Sequence, residues 1–152
     1  MLSIRKILVP TDLSPASTRV LERAQTFAAK FSAAIDLLYV WTPPALQAPE
    51  TVLTGVGAAE QPLLDWLSNS AREQLSKFET QARSLGMNIA HGYCELGDPA
   101  TIIVERAKSG GYDLLVMGTH GRTGLSHALM GSVAEKVIRR AACPVLTIRT
   151  AD

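Results

Sequence analysis

The sequence predicts an α/β fold: an open parallel five-stranded sheet with helices on both faces. Two observations lead to this prediction. Five short apolar runs alternate with four helical stretches along the chain, and strands that alternate with helices form parallel sheets with crossover connections. The composition, with 47% apolar and 19% charged residues among 152, is typical of a globular protein. We therefore expect a single domain over residues 1–152.

The first two strands enclose one helix. Residues 4–9 form a compact aliphatic run that predicts a strand buried on both faces. Ser14 and Pro15 then supply an N-cap and a first-turn proline. The helix that follows carries an apolar stripe at helical spacing, which consists of Val20, Ala24, Phe27, Ala28 and Phe31. Residues 35–41 predict the second strand.

A long loop and the clearest helix come next. Residues 42–61 hold three prolines and two glycines without a period, which indicates a long functional or disordered loop. Pro62 begins a helix that ends before Gly86, a C-cap candidate. Its apolar residues recur at steps of three and four, at Leu64, Leu67, Ala71, Leu75, Phe78, Ala82 and Leu85. We expect Trp66, on this helix, to be a core or loop anchor.

The second half of the chain repeats the alternation. A weaker strand is predicted over residues 88–94, and a helix from Asp98-Pro99 to the glycine pair 110–111. Residues 114–117 predict a buried strand, and residues 118–130 a glycine-rich loop. A helix begins at Gly131 or Ser132 and ends near residue 140. Residues 144–148 predict the last strand, at an edge of the sheet.

Charge and cysteine content exclude several classes of function. The formal net charge is +1, which argues against binding to nucleic acid or to anionic membranes. Cys94 and Cys143 lack the spacing of a zinc site or a disulfide framework, so we expect two buried or half-buried thiols in a reducing compartment. The N-terminus does not resemble a signal peptide, and no apolar run reaches the ~18 residues of a membrane span. A cytoplasmic location is expected.

Two strand ends carry unusual residues. Residues 9–12 read Val-Pro-Thr-Asp, and residues 117–124 are rich in glycine. Ligands of open parallel sheets bind beyond the carboxyl ends of the strands, where the strand order reverses. Glycines permit positive φ and close approach of the backbone to a ligand. The helix that begins at residues 131–132 presents unpaired amides and the positive end of its dipole, so a phosphate would accept bonds from Gly131, Ser132 and Val133.

The glycine content alone leaves two interpretations open. The loop lacks both the G-x4-G-K-S/T phosphate loop and the G-x-G-x-x-G dinucleotide fingerprint. It could therefore bind phosphate by another geometry, or it could be a strand-to-helix connection that only needs flexible glycines.

The full spacing resembles a known signature. Gly118, Gly121 and the pair Gly131-Ser132 match the G-x2-G-x9-G-(S/T) pattern of the ATP-binding branch of the universal stress protein family. Residues 6–12 and 113–118 resemble that family's first and fourth strands, and residues 131–137 and 143–146 its last helix and strand. The resemblance implies a Rossmann-like, adenine nucleotide alpha hydrolase-like sheet with strand order 3-2-1-4-5.

The resemblance also implies a role for each site residue. Pro10, Thr11 and Asp12 would line the adenine and ribose side. Val40 would meet the adenine through backbone and side chain, and Met117 and Gly118 would flank the ribose and α-phosphate. The phosphates would be held by Gly121, Arg122, Gly131, Ser132 and Val133. Magnesium or manganese would bridge phosphate oxygens of ATP, or of ADP or AMP if one of these is the ligand.

Three functions follow as hypotheses. The first is a nucleotide-dependent regulatory module of the stress response, because no nucleophile, catalytic base pair or phosphate-loop lysine is evident. The second is a slow ATPase or phosphotransferase that uses His120 or a metal-bound water. The third is a dimeric stress protein that binds no nucleotide. The family resemblance further implies a homodimer in which the last strands, Val145–Ile148, pair antiparallel; the protein partner is not identified.

Overall fold

The structure is a computed structural model that describes residues 3–43, 61–120 and 130–150. The predicted elements are present in the predicted order within these ranges. They are β1 (Lys6–Thr11), α1 (Pro15–Phe31), β2 (Ala34–Trp41), α2 (Gln61–Ser84), β3 (Ile89–Leu96), α3 (Pro99–Ser109), β4 (Leu114–Gly118), α4 (Ser132–Arg140) and β5 (Val145–Ile148). Most of the predicted loop over residues 42–61 lies outside the described residues.

The five strands form one parallel sheet in the order β3-β2-β1-β4-β5, which confirms the predicted architecture. β1 lies at the centre, and its residues alternate between the two faces. Ile7 packs in the core under α1 and α2, whereas Leu8 packs in the core under α3 and α4. Neither side chain is exposed at all, as expected for a strand buried on both faces.

β1 extends through a proline. The strand ends at Thr11, two residues beyond the predicted end, and Pro10 pairs with β2 opposite Leu38. β1 pairs with β4 only at Ile7 and Leu8. In a strand, each backbone nitrogen faces one neighbouring strand only. A proline has no N–H to donate, so it is tolerated where its nitrogen faces a neighbour whose hydrogen-bonded pairing has already ended.

Two of the helices begin with a cap followed by proline, as predicted. Ser14 is the N-cap of α1 and Asp98 that of α3. The Asp98 carboxylate accepts a hydrogen bond from the Thr101 amide at 2.9 Å. The Thr101 hydroxyl, and then this amide, lower the pKa of Asp98. The Ser14 hydroxyl makes no capping bond. It donates to Asp12 instead, which bears on the site described below.

Some apolar residues predicted to be buried are exposed. Phe27 and Phe31 lie at the margin of α1, whose buried stripe holds smaller residues such as Ala24 and Ala28. Trp66 is not a core residue, since its side chain is 65% exposed; most of the loop that it was expected to anchor lies outside the described residues. Trp66 lies half a turn around α2 from the buried Leu75, whereas its neighbour Leu67 packs against the core.

The core under α3 contains a buried carboxylate. The Asp36 side chain is only 4% exposed and accepts a hydrogen bond from the Tyr112 hydroxyl at 2.7 Å. Its other oxygen lies 2.9 Å from Nδ1 of His91, on the edge strand β3. Burial, and then the hydrogen bond to Asp36, raise the pKa of the Tyr112 phenol. Both carboxylate oxygens are thus satisfied inside the core.

The two cysteines are free and half-buried, as expected. Burial raises the pKa of both thiols, so each favours the less reactive protonated form. Within residues 3–43, 61–120 and 130–150, no helix is long and apolar enough to span a bilayer.

Candidate functional site

A cavity of about 340 Å³ lies at the carboxyl ends of β1 and β4, where the strand order reverses. Nine of the eleven site residues identified from the sequence line this cavity. They are Pro10, Thr11, Asp12, Val40, Met117, Gly118, Gly131, Ser132 and Val133. The other two, Gly121 and Arg122, lie outside the described residues. The fold thus brings distant segments of the chain to one crevice, as the switch-point rule predicts.

One wall of the cavity is apolar and comes partly from α3, a helix that the sequence analysis did not assign to the site. Pro99 and Ile103 of α3 line the cavity together with Leu38 and Met117. Ile103 is one of the buried residues of α3, and no motif in the sequence indicated that this helix would close the crevice. An apolar wall of this kind suits the face of an aromatic ring.

Asp12 is held in one orientation by the start of α1. Its Oδ1 accepts hydrogen bonds from the Ser14 amide at 3.0 Å, the Ser14 hydroxyl at 2.5 Å and the Ser17 hydroxyl at 2.6 Å. The Asp12 amide in turn donates to the Ser17 oxygen at 3.3 Å. Leu13 makes the turn with a positive φ of 62°. The carboxylate is therefore preorganised at the cavity edge, and Ser17, which the sequence analysis did not single out, helps to position it.

The start of α4 offers donors at the opposite end. Gly131 is the N-cap, and the first intrahelical bond runs from the Glu135 amide to the Gly131 carbonyl at 3.0 Å. The amides of Ser132 and Val133 therefore have no acceptor within the helix. The Gly131 amide differs from expectation, because it donates to the Thr119 carbonyl at 2.7 Å. An anion would thus be held by Ser132 and Val133 and by the Ser132 hydroxyl.

Gly118 is needed for close packing and not for its backbone angles. It is a strand residue without positive φ. A Cβ at this position would lie 3.2 Å from Cγ2 of Thr150 and 3.4 Å from Cγ2 of Val20. A larger residue would therefore push on α1 and on the segment after β5, both of which line the cavity.

The Val40 carbonyl points toward the cavity side of β2. The carbonyl of the next residue, Trp41, accepts from the Gly97 amide at 3.1 Å on the β3 side, and successive strand residues direct their carbonyls to opposite sides. β1 pairs with β2 only as far as Thr11, opposite Tyr39. The Val40 carbonyl therefore faces the end of β1, where a ligand amine could donate to it.

His120 also lies at the cavity. It is half-buried, and its Nδ1 lies 2.9 Å from the Thr119 hydroxyl oxygen. Among the described residues, no group of three or more His, Cys, Asp or Glu side chains could hold a metal ion. The site accordingly combines an apolar wall, one fixed carboxylate and a helix N-terminus.

Comparison with known proteins agrees with this geometry. A family model described as the universal stress protein family matches residues 3–149. The chain belongs to the universal stress protein family. Universal stress protein MJ0531 of Methanocaldococcus jannaschii is 38% identical to it over 145 residues, with 95% of this chain and 82% of that protein covered. Universal stress protein YxiE of Bacillus subtilis is 30% identical, with 95% and 98% covered.

Solved universal stress protein structures share the fold. The structure of MJ0577 superposes with a TM-score of 0.78 at 27% identity and covers 99% of both chains. UspA from Lactobacillus plantarum gives a TM-score of 0.74 at 26% identity, covering 96% of this chain and 98% of that one. A universal stress protein solved in complex with cAMP gives 0.68 at 26% identity, with 98% and 99% covered. That relative therefore holds an adenine nucleotide.

Proposed function

We propose that this protein binds an adenine nucleotide, with ATP as the expected ligand, in the cavity between β1 and β4, and acts as a regulatory module of the stress response. The observation that carries the proposal is the convergence of nine separately identified residues on one cavity. That cavity has an apolar wall at one end and unpaired helix amides at the other. The solved relative with bound cAMP supports the same ligand class.

Each part of the nucleotide has a matching feature. The base lies against Ile103 and donates from its exocyclic amine to the Val40 carbonyl. The ribose lies near Asp12, and the phosphates accept bonds from the amides of Ser132 and Val133. Magnesium or manganese would enter with the nucleotide phosphates and would neutralise part of their charge.

Calorimetric titration with ATP and GTP tests the proposal. We expect micromolar affinity for ATP, since a few charge-assisted bonds and a buried base can supply ~8 kcal/mol. GTP should bind at least about tenfold more weakly, because its O6 would face the Val40 carbonyl and leave two acceptors opposed. Equal affinity for the two would contradict the assigned base orientation. Absence of ATP binding would favour the hypothesis of a stress protein without a nucleotide.

A slow ATPase or phosphotransferase is the second candidate, and the position of His120 at the cavity favours it. A single-turnover assay with radiolabelled ATP separates it from the regulatory module. Hydrolysis that disappears in His120→Ala while ATP binding persists would establish the enzyme. Absence of ATP hydrolysis by the wild-type protein would favour the regulatory module.

Ser17→Ala should weaken ATP binding about three- to tenfold. The substitution removes one of the hydroxyl donors that fix Asp12 Oδ1, so the carboxylate gains freedom that binding must remove. Ser17→Thr retains the hydroxyl and should restore most of the affinity. Calorimetry measures both variants. Affinity equal to wild type in Ser17→Ala, with the fold intact by circular dichroism, would contradict a positioning role.

The homodimer is proposed to form through β5. This strand is at the edge of the sheet, it is only half-buried, and it carries the apolar run Val145–Ile148. Edges of this kind pair readily with a second chain. Sedimentation equilibrium should give twice the chain mass of 16.3 kDa, and the monomer mass at micromolar concentration would contradict the proposal. We further propose that the chain is a single domain, that it is located in the cytoplasm, and that it has a protein partner, which is not identified.

A further inference from the structure

A buried carboxylate and an exposed imidazole meet at the edge of the sheet opposite to β5. His91 lies on the edge strand β3, and its register partner on β2 is Asp36. The Asp36 side chain is 4% exposed and that of His91 is 65% exposed. Neither residue lines the nucleotide cavity, so this Asp36–His91 pair is independent of the proposed function.

The pair fixes which nitrogen of the imidazole carries the proton. Nδ1 of His91 lies 2.9 Å from Oδ1 of Asp36, and the other carboxylate oxygen accepts from the Tyr112 hydroxyl at 2.7 Å. A carboxylate accepts hydrogen bonds and donates none, so the proton is on Nδ1 and the lone pair is on Nε2. Within the part of the chain that the structure describes, Nε2 makes no hydrogen bond. The lone pair is therefore open to a reagent from solvent.

This arrangement suits covalent chemistry better than metal binding. A structural or catalytic metal ion takes three or four protein ligands, and the described residues contain no group of three or more His, Cys, Asp or Glu side chains that could hold one. A covalent modification needs a single nucleophile. A carboxylate on Nδ1 keeps an imidazole in the tautomer that reacts through Nε2 and stabilises the imidazolium that forms.

Two cations near the pair favour an anionic reagent. The His91 ring stacks with that of Tyr93, with 6.1 Å between the centroids, and the Arg106 guanidinium lies 4.1 Å from the Tyr93 centroid. Arg106 also pairs with a carboxylate of β3. The Lys6 ammonium lies 4.7 Å from the centroid of the Tyr112 ring. Each cation is thus one aromatic ring away from the pair, which attracts a phosphoryl donor more than an uncharged acyl donor.

We propose that His91 accepts a phosphoryl group on Nε2 from a phosphoramidate, a donor whose phosphorus is bound to nitrogen. The Nε2 lone pair attacks phosphorus and forms a new N–P bond. The N–P bond of the donor breaks, and its electron pair leaves with the protonated nitrogen of the donor as a neutral amine. The Nδ1 proton stays in its bond to Asp36, which stabilises the positive charge of the imidazole. Because one N–P bond replaces another, the step needs no further reactant.

Treatment of the full chain with potassium phosphoramidate tests the proposal. Phosphorus NMR and mass spectrometry of the digested protein locate the phosphoryl group. The chain has three histidines, and His91 should react at Nε2 at least about tenfold faster than His120 and His127. Asp36→Asn should slow the reaction of His91 at least about tenfold, because an amide does not stabilise the imidazolium charge. Glu95→Gln, which removes another carboxylate of β3 that pairs with α3, is the matched control and should leave the rate unchanged.

Three outcomes would overturn the proposal. The first is equal rates for the three histidines of the wild-type protein, and the second is a phosphoryl group on Nδ1 of His91. The third is a wild-type rate in folded Asp36→Asn. If that variant does not fold, nitrogen NMR of the wild-type imidazole replaces it: a proton on Nδ1 supports the positioning role of Asp36, and a proton on Nε2 contradicts it.

Discussion

Replacing Gly131 by valine is expected to weaken ATP binding about a hundredfold while the protein remains folded. Gly131 lines the cavity immediately before the Ser132 and Val133 amides, so a branched side chain there competes with the phosphates for space. A hundredfold change is ~2.7 kcal/mol, about the contribution of one charge-assisted hydrogen bond of ~1.5–3 kcal/mol or of two that are only weakened. Calorimetric titration with ATP measures the effect.

The fold should survive this substitution because the backbone does not require glycine. Gly131 has φ −60° and ψ 148°, angles that any residue adopts. Replacing an N-cap glycine by valine costs at most ~1 kcal/mol. Gly131→Ala adds a single methyl group and should show an intermediate loss of affinity. Wild-type affinity in Gly131→Val, with an unchanged circular dichroism spectrum, would contradict the placement of the phosphates at the start of α4.

Tyr112→Phe is expected to lower the free energy of unfolding by about 2 kcal/mol. The tyrosine hydroxyl donates to a carboxylate that is almost fully buried, and its removal leaves Asp36 Oδ2 without this donor in the core. Urea denaturation measures the change. His91→Ala is the control, because the His91 side chain is 65% exposed and its pairing with Asp36 should contribute less than ~1 kcal/mol. Equal losses in the two variants would contradict the central role of the tyrosine.

The same residue predicts how stability depends on alkaline pH. Burial and the bond to Asp36 raise the pKa of Tyr112 above its ordinary value of 10.0. The folded protein therefore keeps this phenol protonated at a pH where the unfolded chain ionises it. Stability from this group is fully present below pH 10 and is lost as the pH rises further. Tyr112→Phe should flatten the fall in urea midpoint above pH 10, and an unchanged slope would contradict the shift.

The sequence was sufficient for the order of elements because the local signals agreed with the global fold. The caps at Ser14 and Asp98 and the aliphatic runs of the central strands each depend on near neighbours. The buried residues Ala71, Leu75 and Phe78 define the core face of α2. Trp66 lies half a turn around the helix from Leu75, so the helical period itself places it on the solvent face.

The candidate site was predictable in outline but not in detail. Glycine spacing and strand ends located the residues at the crevice, and family resemblance supplied their roles. The wall from α3 was missed because Ile103 looks like any core residue of an amphipathic helix. The bond from the Gly131 amide to Thr119 was also missed, because helix geometry gives unpaired amides and not their tertiary partners. The positioning of Asp12 by Ser17 likewise depends on the turn at Leu13.

Amide NMR mapping of ATP binding tests the central claim most directly. A titration of isotopically labelled protein should shift the backbone resonances of Ser132, Val133 and Val40, at opposite ends of the cavity. Amides on the far edge of the sheet, such as that of His91, should stay unchanged. Shifts confined to surfaces away from Asp12 and α4, or no shifts at millimolar ATP, would contradict the account.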